Sequence, residues 1–381
     1  MIEEHELTFP DIVPLLTTLY RRGVLVPFLG AGMSRGVCCG WQELLENLAS
    51  YFKITIPDNA SSKQLNSAEM IRAADEIINR LRALKIEMQA EVLQNALSEK
   101  DKLNDIPKQI SALASLYWPL VISTNYDDTY LCAKNKSNTN QSSIDILGRS
   151  IDDCHEVLHS LDQISNSKYW AIQGFLGGQL APVESLIKDS TKRFELVSQV
   201  VLGHQQYQKA INSSLHFRRA FAEVYRRRSL IFLGSGIQED YLINLFSEIL
   251  HHQGCGPYPH FALLKKSSKD QYSNLFMQQR LGIVPIFYED YEEVPKFLQQ
   301  FSNHIKYWLE PLSTEKHPTS PVIFQNELAY SLSANSSSGT IPIKLKIYKK
   351  ALPTPHLDLK ECSIVSVGRF QNNPKSPSCE N

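Results

Sequence analysis

The feature that most limits what this chain can fold into is an apolar run that stops at a pair of glycines. Val24-Leu25-Val26-Pro27-Phe28-Leu29 leads straight into Gly30-Ala31-Gly32-Met33-Ser34. A short unbroken apolar run closed by a turn reads as a parallel strand buried on both faces. Helical spacing resumes with Trp41, Leu44, Leu45 and Leu48, so the unit is strand, glycine turn, helix. Open parallel sheets keep their ligands beside such turns, at the carboxyl ends of the strands, and backbone N–H groups there suit a diphosphate. Gly-x-Gly-x-Ser is weaker than Gly-x-Gly-x-x-Gly, so a plain tight turn stays open as the other reading. The Gly-Lys-Ser/Thr step of an ATP-hydrolysing loop is missing.

The same logic recurs downstream. Trp118-Pro119-Leu120-Val121-Ile122-Ser123 is a second buried-strand pattern and opens into Thr124-Asn125-Tyr126-Asp127-Asp128. Polar residues at that end of a strand lie where α/β sheets do their chemistry, and Asp127 or Asp128 can also cap the next helix. Tyr169-Trp170-Ala171-Ile172-Gln173-Gly174 is a third strand pattern, and Ser229-Leu230-Ile231-Phe232-Leu233 a fourth, closing in Gly234-Ser235-Gly236 before Asp240. Two such turns in one sheet could grip the two ends of one dinucleotide. Residues 259–264 and 281–288 supply two further strands, and a helix from Val294 to about Leu309 ends the unit. The expected fold is α/β, a Rossmann-like parallel sheet, with a helical insertion at about 41–117.

Residues 134–167 are polar and rich in Asn and Ser, which reads as a surface excursion holding a short amphipathic piece near Val157 to Leu161. Arg226, Arg227 and Arg228 read as a solvated helix end before a strand. The domain division expected is 1–310 for the α/β unit, a Pro/Ser/Thr-rich linker at 311–321, a small β-rich region at 322–370 and a disordered tail at 371–381. Strand patterns at 341–348 and 362–367 carry the β-rich reading.

With 381 residues, 43% of them apolar, the chain can bury a full core. Thirty-nine basic against forty acidic residues give a formal charge of −1, so no global pull toward nucleic acid or membrane is expected. The seven cysteines include no Cys-x-x-Cys pair, which favours reduced thiols in a cytoplasm over a disulfide framework or a zinc site. The first residues, Met-Ile-Glu-Glu-His-Glu, are acidic where a signal peptide is basic. A cytoplasmic protein without a membrane span or metal is the expectation.

Taken together, Gly30-Ala31-Gly32-x-Ser34, Ser123-Thr124-Asn125-Tyr126-Asp127 and Phe232-Leu233-Gly234-Ser235-Gly236 with Asp240 resemble the sirtuin-like fold, and more narrowly its bacterial antiviral-defence branch, including the HerA-associated type. The resemblance spans roughly Pro10 to Leu309. It implies NAD as substrate, with hydrolysis to nicotinamide and ADP-ribose depleting the cell's NAD during phage infection. It assigns Asn125 a catalytic role and Asp127 a supporting one. The first glycine turn (Gly30, Ala31, Gly32, Ser34) would bind the diphosphate, Thr124 would belong to the ribose-holding loop, and Gly234 and Ser235, with Asp240, would face the adenine-side ribose. Control by assembly is implied, as a homo-oligomer or with a HerA-type ATPase or an Argonaute-type protein. No direct nucleic-acid binding follows.

Two departures bear on the chemistry. The four-cysteine zinc module of sirtuin deacylases has no counterpart here, which makes a deacylase or ADP-ribosyltransferase the weaker alternative. The family's catalytic histidine sits in a His-Gly step that here reads Gln173-Gly174, and glutamine exchanges no proton near neutral pH. A naturally slow or inactive enzyme, an introduced replacement that traps NAD, or service by another histidine such as His204 would each account for it. The intact remainder of the site favours the introduced replacement. A binding module that senses NAD or ADP-ribose without cleaving it is the main alternative function.

Overall fold

The computed structural model describes residues 9–55, 67–99, 105–137, 144–162, 166–207, 209–210, 214–235, 237, 240–254, 256–266, 274–309, 326–334 and 343–351. Seven strands form its centre: β1 (Leu25–Leu29), β2 (Leu120–Ser123), β3 (Ile144–Leu147), β4 (Ser167–Ala171), β5 (Ser229–Leu233), β6 (His260–Lys265) and β7 (Ile283–Tyr288). They lie in the order β3-β4-β2-β1-β5-β6-β7, and every neighbouring pair is parallel. The expected α/β, Rossmann-like sheet is what the chain forms. Every residue of β1, β2, β4 and β5 is buried, as a sheet covered on both faces requires.

Helix α1 (Phe9–Arg21) delivers the chain into β1, and α2 (Trp41–Phe52), α3 (Ser67–Arg82), α4 (Ile86–Leu97) and α5 (Lys108–Ala114) lie between β1 and β2. Then come α6 (Thr129–Ser137) after β2 and α7 (Ile151–Asp162) after β3. Between β4 and β5 run α8 (Val183–Leu186), α9 (Ser190–Ser198), α10 (His204–Tyr207) and α11 (Leu215–Arg227). The last strands alternate with α12 (Asp240–Gln253) and α13 (Asn274–Leu281), and α14 (Glu293–Leu309) closes the unit. Beyond it β8 (Asn326–Ala334) pairs antiparallel with β9 (Ile343–Ala351), while the strand pattern at 362–367 lies outside the described residues.

Each face of the sheet has its own core. One gathers Leu16, Trp118, Leu131, Tyr169, Phe297 and Phe301 from the α1, α5, α6 and α14 side. The other gathers Phe28, Trp170, Phe217, Phe221, Phe232 and Phe246 from the α7, α11 and α12 side. Side chains of that size contribute about 1.5–3 kcal/mol each when fully buried. Arg226 and Arg227 fall in the last turn of α11, where cations meet the negative helix end.

Two expectations change. The polar stretch at 134–167 is more than an excursion, because it holds β3 and the whole of α7. β3 escaped notice because it is a four-residue edge strand whose first three residues are half-exposed, and its Asp145 pairs with Lys168 at 2.6 Å. The helical insertion at 41–117 also divides in two. α5 packs into the sheet core through Ile110 and Leu113. α2, α3 and α4 build a third core, with Leu44, Leu45, Leu48, Ile77 and Leu93 packed against Tyr126, Leu176, Val200 and Leu202. Those last four residues belong to loops beyond the carboxyl ends of β2 and β4, so the insertion packs over the carboxyl ends of those strands and not on a face of the sheet.

Candidate functional site

The chain runs out from β1 through β2 to β4 and β3 on one side, then returns to β5 on the other. That places the topological switch between β1 and β5, the position at which open α/β sheets form their ligand crevice. Both glycine turns stand there, packed on each other. The Gly30 N–H donates to Leu233 O and the Gly32 N–H to Gly234 O, each at 2.9 Å. A Cβ on Gly30 would lie 2.6 Å from the Ser235 Cα, and one on Gly234 would lie 2.5 Å from the Met33 nitrogen. Glycine is therefore demanded by backbone approaching backbone. The diphosphate donors expected at Gly30 and Gly32 are spent on the neighbouring strand, and Ala31 between them is exposed.

From the β2 end the Asn125 loop reaches the first turn. Thr124 binds Leu29 O through its amide at 3.0 Å and its hydroxyl at 3.1 Å. The Asn125 carboxamide donates from Nδ2 to Gly30 O at 3.1 Å and to Ser34 Oγ at 3.2 Å. A backbone carbonyl only accepts, so Gly30 O fixes which end of the amide faces it and leaves Oδ1 for another partner. Asp127 is buried and receives the Thr129 N–H, the first of α6, at 2.9 Å. Burial pushes its carboxyl up from the ordinary aspartate value, and hydrogen bonds from Thr129 and Ser34 oppose that rise. Ser34 thus joins Asp127 to Asn125. Asp128 has another duty: its carboxylate takes the amides of Gly178, Leu180 and Ala181 at 3.0–3.1 Å and ties down the loop after β4.

The third wall carries Gln173, which is 3% exposed. Its Oε1 lies 3.4 Å from the hydroxyls of both Tyr126 and Tyr207. The Tyr126 hydroxyl also donates to Val201 O at 2.5 Å. Gly174 follows at φ +92, and a Cβ there would stand 2.5 Å from the Val200 nitrogen. The Val200-Val201 segment is in this way seated on Gln173-Gly174, with the Val201 N–H on Gln173 O at 3.1 Å. Buried Arg149 fastens the same corner, donating to Gln199 O at 2.7 Å and to Ile172 O.

Gly30, Gly32, Ser34, Thr124, Asn125 and Asp127 thus form one hydrogen-bonded cluster, with Gly234 and Ser235 in contact with it and Gln173 linked to Tyr126, the neighbour of Asn125. Ser235 is buried and its Oγ accepts the Ile237 N–H at 3.3 Å. Asp240 begins α12 and His204 begins α10, but their side chains, like all of Gly236, lie outside the described residues. Reading the sequence passed over Tyr207, Val201 and Arg149. Tyr207 stands in a helix of four residues, and nothing in its surroundings along the chain points to Gln173. Among the described residues no cluster of three or more His, Cys, Asp or Glu side chains is placed to hold a metal. No described helix is long and apolar enough to cross a membrane. Cys38, Cys39, Cys132 and Cys154 are buried free thiols.

Residues 119–286 match the family model of the SIR2-like domain. No curated protein matches the chain. The matched span starts at the threshold of β2 and ends inside β7, so it takes in Asn125, Asp127, Gln173, Gly234, Ser235 and Asp240 and leaves β1 with its turn outside. SIR2-like domains bind NAD, and residues 119–286 of this chain are similar to them.

Proposed function

We propose that the sheet edge between Ala31, Asn125 and Ser235 binds NAD and that its chemistry is hydrolysis of the nicotinamide–ribose bond. The observation that carries this reading is the Asn125 carboxamide, held from both sides by Gly30 O and Ser34 Oγ at the switch point of a sirtuin-like sheet. Cleaving that bond passes through an oxocarbenium-like state, which needs a held ribose and an oriented water. Asn125 Oδ1 is the acceptor that can orient such a water or a ribose hydroxyl. Asp127 supports it through Ser34. The Ala31 amide, and not those of Gly30 and Gly32, is the donor suited to the diphosphate. NAD depletion in antiviral defence and control through a homo-oligomer or a HerA- or Argonaute-type partner follow from the resemblance, a cytoplasmic setting follows from the unpaired cysteines, and all three belong to this proposal.

Gln173 favours a second reading, NAD or ADP-ribose binding without cleavage. Its amide oxygen meets two phenol hydroxyls. The Tyr126 proton goes to Val201 O at 2.5 Å, so Tyr207 is the phenol that donates to the Gln173 amide oxygen, and a glutamine there exchanges no proton near neutral pH. Incubating the purified protein with NAD and resolving the products by chromatography separates the readings. Hydrolysis predicts nicotinamide release that Asn125→Ala abolishes and Gln173→His raises. Tight NAD binding with no release from either Gln173 form would establish the sensor.

A further inference from the structure

We propose that the groove between α4 and α9 is a docking site for a cationic amphipathic helix of a partner protein. The groove has a volume of about 620 Å³ and is walled by Ile86 and Ala90 of α4 and by Phe194 and Val197 of α9, with Phe175 and Leu176 at its floor. Phe194 is 55% exposed, a large aromatic surface left uncovered beside an apolar cleft. Glu87 and Glu91, one turn apart on α4, line the groove beside Ile86 and Ala90. They are exposed and make no ion pair among the described residues. The remaining charged residues of the lining are Glu184 and Arg193, which pair with each other.

An apolar trough edged by two free carboxylates at i and i+4 is complementary to a helix that carries apolar residues on one face and Lys or Arg at i, i+4 beside it. The same carboxylates repel a nucleotide or other phosphate-bearing ligand. The groove is also close to the site, since Phe175 and Leu176 directly follow Gln173-Gly174 and the Leu176 N–H donates to Tyr126 O at 2.8 Å. A helix seated there rests on the segment that carries Gln173.

The test uses the full chain and a fluorescent amphipathic Leu/Lys peptide of about 14 residues, long enough for partial helix formation, with its Leu/Glu counterpart as the opposite-charge probe. Fluorescence anisotropy is expected to show the Leu/Lys peptide binding at least about tenfold more tightly than the Leu/Glu peptide. Glu87→Lys with Glu91→Lys should weaken it about tenfold or more, and Phe194→Ala several-fold, while the charge-matched surface pair Asp152→Lys with Glu292→Lys changes it less than about twofold. Circular dichroism melts verify that each variant is folded. NAD titrations of the same samples keep failure of this proposal distinct from failure of the NAD reading. Equal binding of both peptides, equal loss in the control pair, or no saturable binding would overturn the proposal. So would light scattering showing a dimer that Phe194→Asp converts to monomer, which would give the groove to a second copy of the chain.

Discussion

β1 and β5 run into glycine turns that read alike along the chain, Leu29-Gly30-Ala31-Gly32 and Leu233-Gly234-Ser235-Gly236, yet the two turns need glycine for different reasons. Gly30 is extended, with φ −117 and ψ 175, so any residue could adopt its backbone. What excludes a side chain there is the Ser235 backbone pressed against it. Gly234 has φ +64 and is crowded by the Met33 nitrogen as well, so both conformation and space demand glycine. The first turn then curls into a short 3-10 turn, Ala31–Ser34, that hands Ser34 to Asn125. The second passes through Ile237, buried at φ 48, a left-handed conformation that costs a β-branched residue about 1–3 kcal/mol. Neither turn is a free phosphate cradle. They form one interface, and the site is assembled on it.

The largest expected effect breaks that interface directly. Gly234→Ala should cost about 3 kcal/mol or more, because it combines left-handed strain with backbone overlap. Gly30→Ala should come close to it through overlap alone. Urea denaturation of each variant checks this, and a cost under about 1 kcal/mol for Gly30→Ala would show that the turns do not depend on each other.

The β5 side can be probed by pH. His260 on β6 is fully enclosed, stacks on Tyr225 at 3.8 Å and accepts the Leu230 N–H at 3.1 Å. Burial pushes its imidazole down to about 3. Between that value and the free-imidazole range near 6.5 the unfolded chain binds the extra proton and the folded chain does not. Stability from this residue is therefore complete above about pH 6.5 and falls by about 1.4 kcal/mol for each pH unit below it. Denaturation midpoints from pH 7 to about 4.5 should decline less steeply in His260→Gln. An unchanged slope would remove His260 from the account.

A smaller effect sharpens the β1 side. Asn125→Ala removes one of the two donors to Gly30 O, which keeps the Met33 N–H, and the amide donor to Ser34 Oγ, so a loss of about 1 kcal/mol in stability is expected, alongside the loss of nicotinamide release. The smallest change is the reference case. Gly23→Ala, at φ +67 with nothing within 4 Å of the added Cβ, should cost only about 1 kcal/mol of left-handed strain. The difference between Gly23→Ala and Gly234→Ala measures the overlap itself.

These contrasts also show what the sequence could and could not reveal. The buried strands were legible because parallel strands covered on both faces must be apolar throughout. The Asn125 loop was legible because polar residues at the end of such a strand stand out. β3 was hidden by its length and by an edge position that tolerates Asp145. Asp127 and Asp128 looked equivalent as caps, and only the fold separates Asp127, on the first amide of α6, from Asp128, which holds residues 178–181. The contact of Tyr207 with Gln173 crosses 34 residues and follows from the way 199–201 folds back on Gly174, which no local pattern encodes. The glycine turns stand out along the chain, but their steric fit against each other is invisible until both strands are placed side by side.

Crystals grown with NAD test the central claim most directly, through electron density at the carboxyl ends of β1, β2 and β5. The account predicts one dinucleotide, or its ADP-ribose product, with a ribose in hydrogen-bond reach of Asn125, the diphosphate at Ala31 and the far ribose beside Ser235. A dinucleotide bound elsewhere while this edge stays vacant at saturating NAD would contradict it.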